Sequence, residues 1–291
     1  MNKRNLALLL TTFFLWGSMY VVSKIALRTV PPVTLLALRY LVSVPSLYLL
    51  LRMRKAIKPV EKKDRPILFS IGFLGYFFSF CLQMLGIARL SGSVSSLLGA
   101  MNPIFIPILA AIFLKEKITW AKIASVVVSM IGVVTIVGIG GTVDIAGALF
   151  MLASVSLWSA TSIIIRRVSG RYDPMQIAMT ATGFALPFTA VWALIELRTE
   201  TLTLPLPSLL AVLYMGIIGT ALAHTLWNTC LKRMDASFCS MFYPLQPLVS
   251  SILGVIFLHE AITPNFVIGG LIVSCGIVAA VLAGKNTGKA K

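Results

Sequence analysis

Residues 89–120 and 233–264 are two copies of one stretch. Slid by 144 positions, twelve of the thirty-two pairs are identical, among them Arg89/Arg233, Pro103/Pro247 and Glu116/Glu260. An apolar composition alone matches a few positions, but it does not align arginine, proline and glutamate together. The repeat reaches the start of the chain at an offset of 142, where Trp16 falls on Trp158, Lys24 on Arg166, Pro32 on Pro174 and Pro45 on Pro187. A period longer than about 100 residues is no solenoid unit. It is a duplicated half.

What each half contains follows from its apolar runs. Ten segments are long enough to cross hydrocarbon, which takes about 20 apolar residues: 5–27, 33–51, 67–88, 93–114, 120–139, 144–165, 175–196, 207–231, 236–258 and 265–284. Only 12% of the residues are charged and 58% are hydrophobic, whereas a soluble domain is about 25% charged. The expected fold is therefore all-α integral membrane. Each half, 1–140 and 144–291, carries five helices, the second ending in a short basic tail. Five is odd, so the second half enters from the opposite side, giving two inverted five-helix repeats of the kind that place a solute site between them.

Charge sets the orientation. Of the 25 Lys and Arg, twenty lie in loops on the N-terminal side, four lie on the other, and Arg39 lies inside a helix. That bias puts both termini in the cytoplasm, with the chain in the plasma (bacterial inner) membrane. The net charge of +16 is spread over short loops between apolar runs, so the basic balance reads as membrane topology and not as a nucleic-acid surface. The N-terminal run continues to about Val22 with no small-x-small cleavage site, so it is expected to be a retained first helix. The four cysteines sit in apolar segments without metal spacing and read as small hydrophobes. Neither metal nor cofactor is expected.

Leu15-Trp16-Gly17-Ser18, Leu38-Arg39-Tyr40, Phe113-Leu114-Lys115-Glu116 and Phe257-Leu258-His259-Glu260 resemble the drug/metabolite transporter superfamily, EamA-type branch. The likeness covers nearly the whole chain. It implies a five-plus-five membrane fold and export of a small solute such as an amino acid, an aromatic one included, or an amphipathic or cationic drug.

The side chains themselves offer a candidate site. Arg39 lies seven residues past Pro32, about 10 Å into the membrane. It either snorkels outward or presents a cavity charge to a carboxylate. His224 either couples a proton or is a neutral core residue. It shares a helix face with Asn228, with Trp227 beside it, and the repeat places Tyr76, Phe80 and Gln83 as the matching stripe. Trp16 and Trp158 lie near mid-helix and fit pocket walls. Asn102 and Gln246 precede equivalent prolines, and Tyr243 precedes Pro244. Pro103, Pro107, Pro244 and Pro247 mark helices four and nine as kinked, either for gating or as a fixed bend. Glu116 and Glu260 are expected at helix ends or in gate ion pairs.

The expected partners are a small-molecule solute, the bilayer, a proton carried by His224, and a second copy through helices five and ten. The competing reading is a membrane-embedded enzyme acting on a lipid or isoprenoid. Such an enzyme needs clustered acids or histidines, and here nine acidic residues are scattered.

Overall fold

A computed structural model describes residues 2–90, 92–137, 144–258 and 264–287, and every regular element in them is helical. The helices are α1 (Lys3–Ala26), α2 (Pro32–Met53), α3 (Lys62–Arg89), α4 (Gly92–Gly99 and Asn102–Leu114), α5 (Trp120–Val137), α6 (Ile145–Val168), α7 (Pro174–Glu196), α8 (Leu206–Arg233), α9 (Ala236–Ser240 and Leu245–Leu258) and α10 (Pro264–Thr287). Eight of them, all but α5 and α10, are long and apolar enough to cross a membrane. Glu260, His259 and the Gly140-Gly141 connection lie outside the described residues.

The helix starts follow from local chemistry. Pro32 and Pro174 occupy the first helical position of α2 and α7, where a missing N–H costs nothing. Asp144 and Asp173 cap α6 and α7 by accepting from Gly147 N (2.6 Å) and Met175 N (2.9 Å). Two other starts borrow a carboxylate from the opposite half. Glu196 accepts from Val33 N (3.2 Å) and Thr34 N (2.7 Å) at the head of α2. Glu116 accepts from Ala236 N (2.9 Å), Ser237 N (3.1 Å) and Ser237 Oγ at the head of α9. Each anion meets the positive end of a helix.

Four helices depart from plain α geometry, in two equivalent pairs. In α3 the stretch Ile71–Ser79 is π-helical, and in α8 so is Met215–Leu222. These are the same positions 144 apart, and π turns of this kind gather at functional sites. In α4 and α9 the helix breaks, at 100–101 and at 241–244. Proline explains the first break. Pro103 has no N–H for the Gly99 carbonyl, and the Asn102 side chain supplies one instead, Nδ2 to O at 2.8 Å.

Packing repeats under the same two offsets. A Cβ on Gly72 would stand 2.7 Å from Phe184 Cβ and 2.8 Å from the Ala181 carbonyl. On Gly216 it would stand 2.6 Å from Val42 Cβ and 3.0 Å from the Arg39 carbonyl. Arg39 and Val42 are the residues 142 before Ala181 and Phe184. Likewise Gly75 abuts Thr161 where Gly219 abuts Met19. α5 and α10 pair in the same reciprocal way: Gly132 lies against Gly269 and Val273, Gly276 lies against Ser129, and Ser125 Oγ donates to the Gly276 carbonyl at 2.8 Å. Gly132, Gly269 and Gly276 are thus used in packing α5 against α10 inside the chain. Outside, Leu49, Ile112, Leu194 and Leu271 are exposed, the apolar belt a lipid-facing surface needs. Cys81, Cys230 and Cys239 are buried, but Cys275 is exposed, because it lies on the face of α10 turned away from α5.

Candidate functional site

At the centre of the bundle α1, α3, α4, α6, α8 and α9 surround a cavity, and α2 contributes Arg39. Nine of the residues singled out from sequence line it: Trp16, Arg39, Phe80, Gln83, Asn102, Trp158, His224, Tyr243 and Gln246. Met19, Tyr20, Ser23, Ser79, Met84, Ser154, Val155 and Gly219 also line it and were not singled out. Tyr20 and Ser23 follow Trp16 by four and seven positions, and Ser154 precedes Trp158 by four, so helical spacing carried the signal.

Three expected residues do not line it. Tyr76 stands behind His224, ring centroids 5.0 Å apart. Trp227 turns toward α1, 5.4 Å from Trp16 and 5.8 Å from Phe13. Asn228 donates to the Pro174 carbonyl at 3.1 Å and ties α8 to α7.

Arg39 is 2% exposed, so it does not snorkel to a surface. Its Nε donates to Thr220 Oγ1 at 3.0 Å, and its guanidinium carbon lies 5.6 Å from the Phe80 ring centroid. No ion pair reaches it among the described residues, and no carboxylate lines the cavity. The next residue, Tyr40, donates from its hydroxyl to the Tyr76 carbonyl. Tyr76 and Thr220 are equivalent positions of the two π stretches, so neighbours on α2 pin both.

The walls are aromatic and held by hydrogen bonds. Trp16 and Trp158 meet edge-on at 6.0 Å. Trp158 Nε1 donates to Tyr243 Oη at 2.8 Å, Ser159 Oγ to Asn102 Oδ1 at 2.9 Å, and Tyr20 Oη to Gln246 Oε1 at 3.4 Å. The equivalent pair Asn102 and Gln246 are thereby each fixed by a helix across the cavity. Four rings, those of Trp16, Tyr76, Phe80 and Trp158, surround His224 at 5.0–5.6 Å.

Of the expected gating prolines, Pro103 opens the second piece of α4, Pro107 lies within it, Pro244 sits in the break of α9 and Pro247 follows it. Glu116 makes no ion pair among the described residues and caps α9 instead. Glu260 lies outside them.

The EamA-like transporter family matches the chain twice, over residues 3–138 and 145–282. An uncharacterized transporter of Archaeoglobus fulgidus is 27% identical over 275 residues, spanning 94% of this chain and 97% of that protein. Uncharacterized transporter YcxC of Bacillus subtilis is 28% identical over 283 residues, spanning 91% and 88%. An S-adenosylmethionine/S-adenosylhomocysteine transporter of Chlamydia trachomatis is 23% identical over 283 residues, spanning 91% and 86%. A chain of known crystal structure superposes with a TM-score of 0.80 at 20% identity, covering 99% of both, which shows a shared fold. Two matched repeats, apolar spans around a polar cavity and relatives named as transporters agree: this chain belongs to the EamA-like transporter family, and it is a multi-span membrane transporter and not an enzyme.

Proposed function

We propose that the protein carries a small amphipathic carboxylate, an amino acid bearing a flat ring, and exports it by secondary-active or facilitated transport. The observation that carries this is Arg39: a buried guanidinium facing a cavity without a carboxylate. A solute carboxylate is the natural partner for such a fork of donors. A cationic drug that lacks a carboxylate offers that guanidinium no partner, so the carboxylate-bearing arm of the family's substrate range is favoured. The tryptophan walls suit a flat ring. The relative named for S-adenosylmethionine and S-adenosylhomocysteine fits the same class, since both molecules carry a purine and an amino-acid carboxylate.

The mechanism proposed is alternating access between two inverted halves, 1–140 and 144–291, crossing the membrane ten times with both termini in the cytoplasm of the plasma membrane. The reciprocal contacts of α2 with α8 and α7 with α3 support this, as does the bias of basic residues to one side. The cavity leaves about 50 Å³ open to a water-sized sphere, against roughly 300–1,000 Å³ for a drug-sized ligand. Helices must part to admit a solute, and the breaks at Pro103 and Pro244 and the two π stretches are where they would give. With no lining carboxylate among the described residues, proton coupling would fall to His224, which would take up its proton only when no solute occupies the site. A homodimer through α5 and α10 would use the outward side chains Ile131, Leu271 and Val278, which the internal pairing leaves exposed.

Counterflow in liposomes with paired probes tests the reading. Tryptophan and adenosyl amino acids should exchange, and tryptamine, which lacks the carboxylate, should not. Arg39→Ala should abolish the distinction, and Trp158→Ala should weaken exchange of all ring solutes. Equal exchange of tryptophan and tryptamine by the unaltered protein would contradict it.

A further inference from the structure

His224 holds a lone pair that the protein leaves unused. Its Nδ1 lies 3.0 Å from the Thr220 carbonyl, and a carbonyl only accepts, so Nδ1 carries the hydrogen. The other nitrogen, Nε2, is then an acceptor. It is buried and has no hydrogen-bond partner among the described residues. The residue is 1% exposed and lines the central cavity. Arg39 already supplies a fixed positive charge to that cavity, and among the described residues no carboxylate lines it to balance a second.

Among the described residues, none makes a hydrogen bond to Nε2. Four rings stand around His224, and the indole N–H of one of them, Trp158, is taken by Tyr243. The two anchors share one residue: Thr220 takes Arg39 Nε on its hydroxyl and His224 Nδ1 on its carbonyl. The carboxylate partner and the lone pair are thus fixed relative to one another, at the end of the first π stretch's counterpart in α8. A site built to pair a buried acceptor rejects a solute that leaves it bare far more strongly than one that merely fits badly.

We propose that Nε2 of His224 accepts a hydrogen bond from an N–H or O–H on the ring of the solute, so that the transporter selects ring carboxylates bearing such a donor. This rests on the carboxylate reading given above, with Arg39 holding the other end. Indole, phenol and purine amine groups qualify, and their N- or O-methylated forms do not.

The test uses the purified full-length protein and two matched pairs, tryptophan against its indole N-methyl analogue and tyrosine against O-methyltyrosine, measured by binding and by counterflow. The unaltered protein should favour the donor-bearing member of each pair by about tenfold or more. His224→Leu should bring the two members level, and His224→Gln, which keeps an acceptor, should retain part of the preference. Equal binding within the pairs by the unaltered protein, a comparison that needs no variant to fold, would overturn this inference and leave the carboxylate reading standing. Persistence of the preference in His224→Leu would also overturn it. Failure of all four ring carboxylates to bind would overturn both.

Discussion

Arg39 and Tyr40 are neighbours with opposite liabilities. Arg39 is buried without a counter-ion among the described residues, a state that costs several kcal/mol and serves only a function. Tyr40 donates to the Tyr76 carbonyl inside a π stretch, a buried bond that its loss would leave unmade. Arg39→Met should therefore leave thermal stability in detergent unchanged or raised, while carboxylate exchange falls at least tenfold. Tyr40→Phe should lose about 1–3 kcal/mol of stability. A loss in Arg39→Met as large as in Tyr40→Phe would make the arginine a structural residue. Arg39 was legible because a charge inside an apolar run has few explanations, and Trp16 and Trp158 because the chain repeats them. Tyr20 and Ser154 were not, since tyrosine and serine are ordinary in membrane helices and only their register with the tryptophans places them. Tyr76 was placed with Phe80 and Gln83 as the repeat's match to the His224 stripe, and a stripe drawn at 3.6 residues per turn loses phase inside a π stretch.

At the scale of elements, the equivalent π stretches depend on glycines that let α2 and α7 approach. Gly72→Ala and Gly216→Ala should each cost about 1–3 kcal/mol, and by similar amounts, because each new methyl meets a Cβ and a carbonyl in the same geometry. Gly183, inside α7, has open space where a Cβ would stand, with no neighbouring atom within 4 Å, so Gly183→Ala should stabilise by up to about 1 kcal/mol through helix propensity. Chemical denaturation of the three variants in one detergent checks the contrast. The breaks in α4 and α9 could be read from their prolines, which remove a donor wherever they fall. The π stretches could not, because a glycine in an apolar run reads equally as close packing in a regular α-helix.

At the scale of the whole molecule, the halves meet at each end through contacts that occupy equivalent positions and differ in chemistry. At one end Arg171 pairs with the buried Asp64, and Tyr172 Oη donates to the same carboxylate at 2.8 Å. Burial, and then the bond to Asp64, hold that hydroxyl above the ordinary phenol range, so it stays a donor. At the other end the equivalent residues are Ser208 and Thr29, hydroxyl to hydroxyl at 2.7 Å, with Thr203 N donating to the Thr29 carbonyl at 3.0 Å. Both contacts join one half to the other. The duplication was legible from Arg89, Pro103 and Glu116 and their copies. The unequal contacts at the two ends were not, because Asp64 and Arg171 read as loop charges until the fold brings them together. The account requires each end to open in turn onto one chamber. Ser154→Cys, a near-isosteric change at a cavity-lining position, in a background whose four native cysteines are replaced, puts one thiol there. Its labelling by a membrane-impermeant reagent, applied to either face of sealed vesicles, is the most direct test. The account predicts labelling from both faces, slowed by a ring carboxylate on either side. Labelling from one face alone, whatever solute is present, would contradict it.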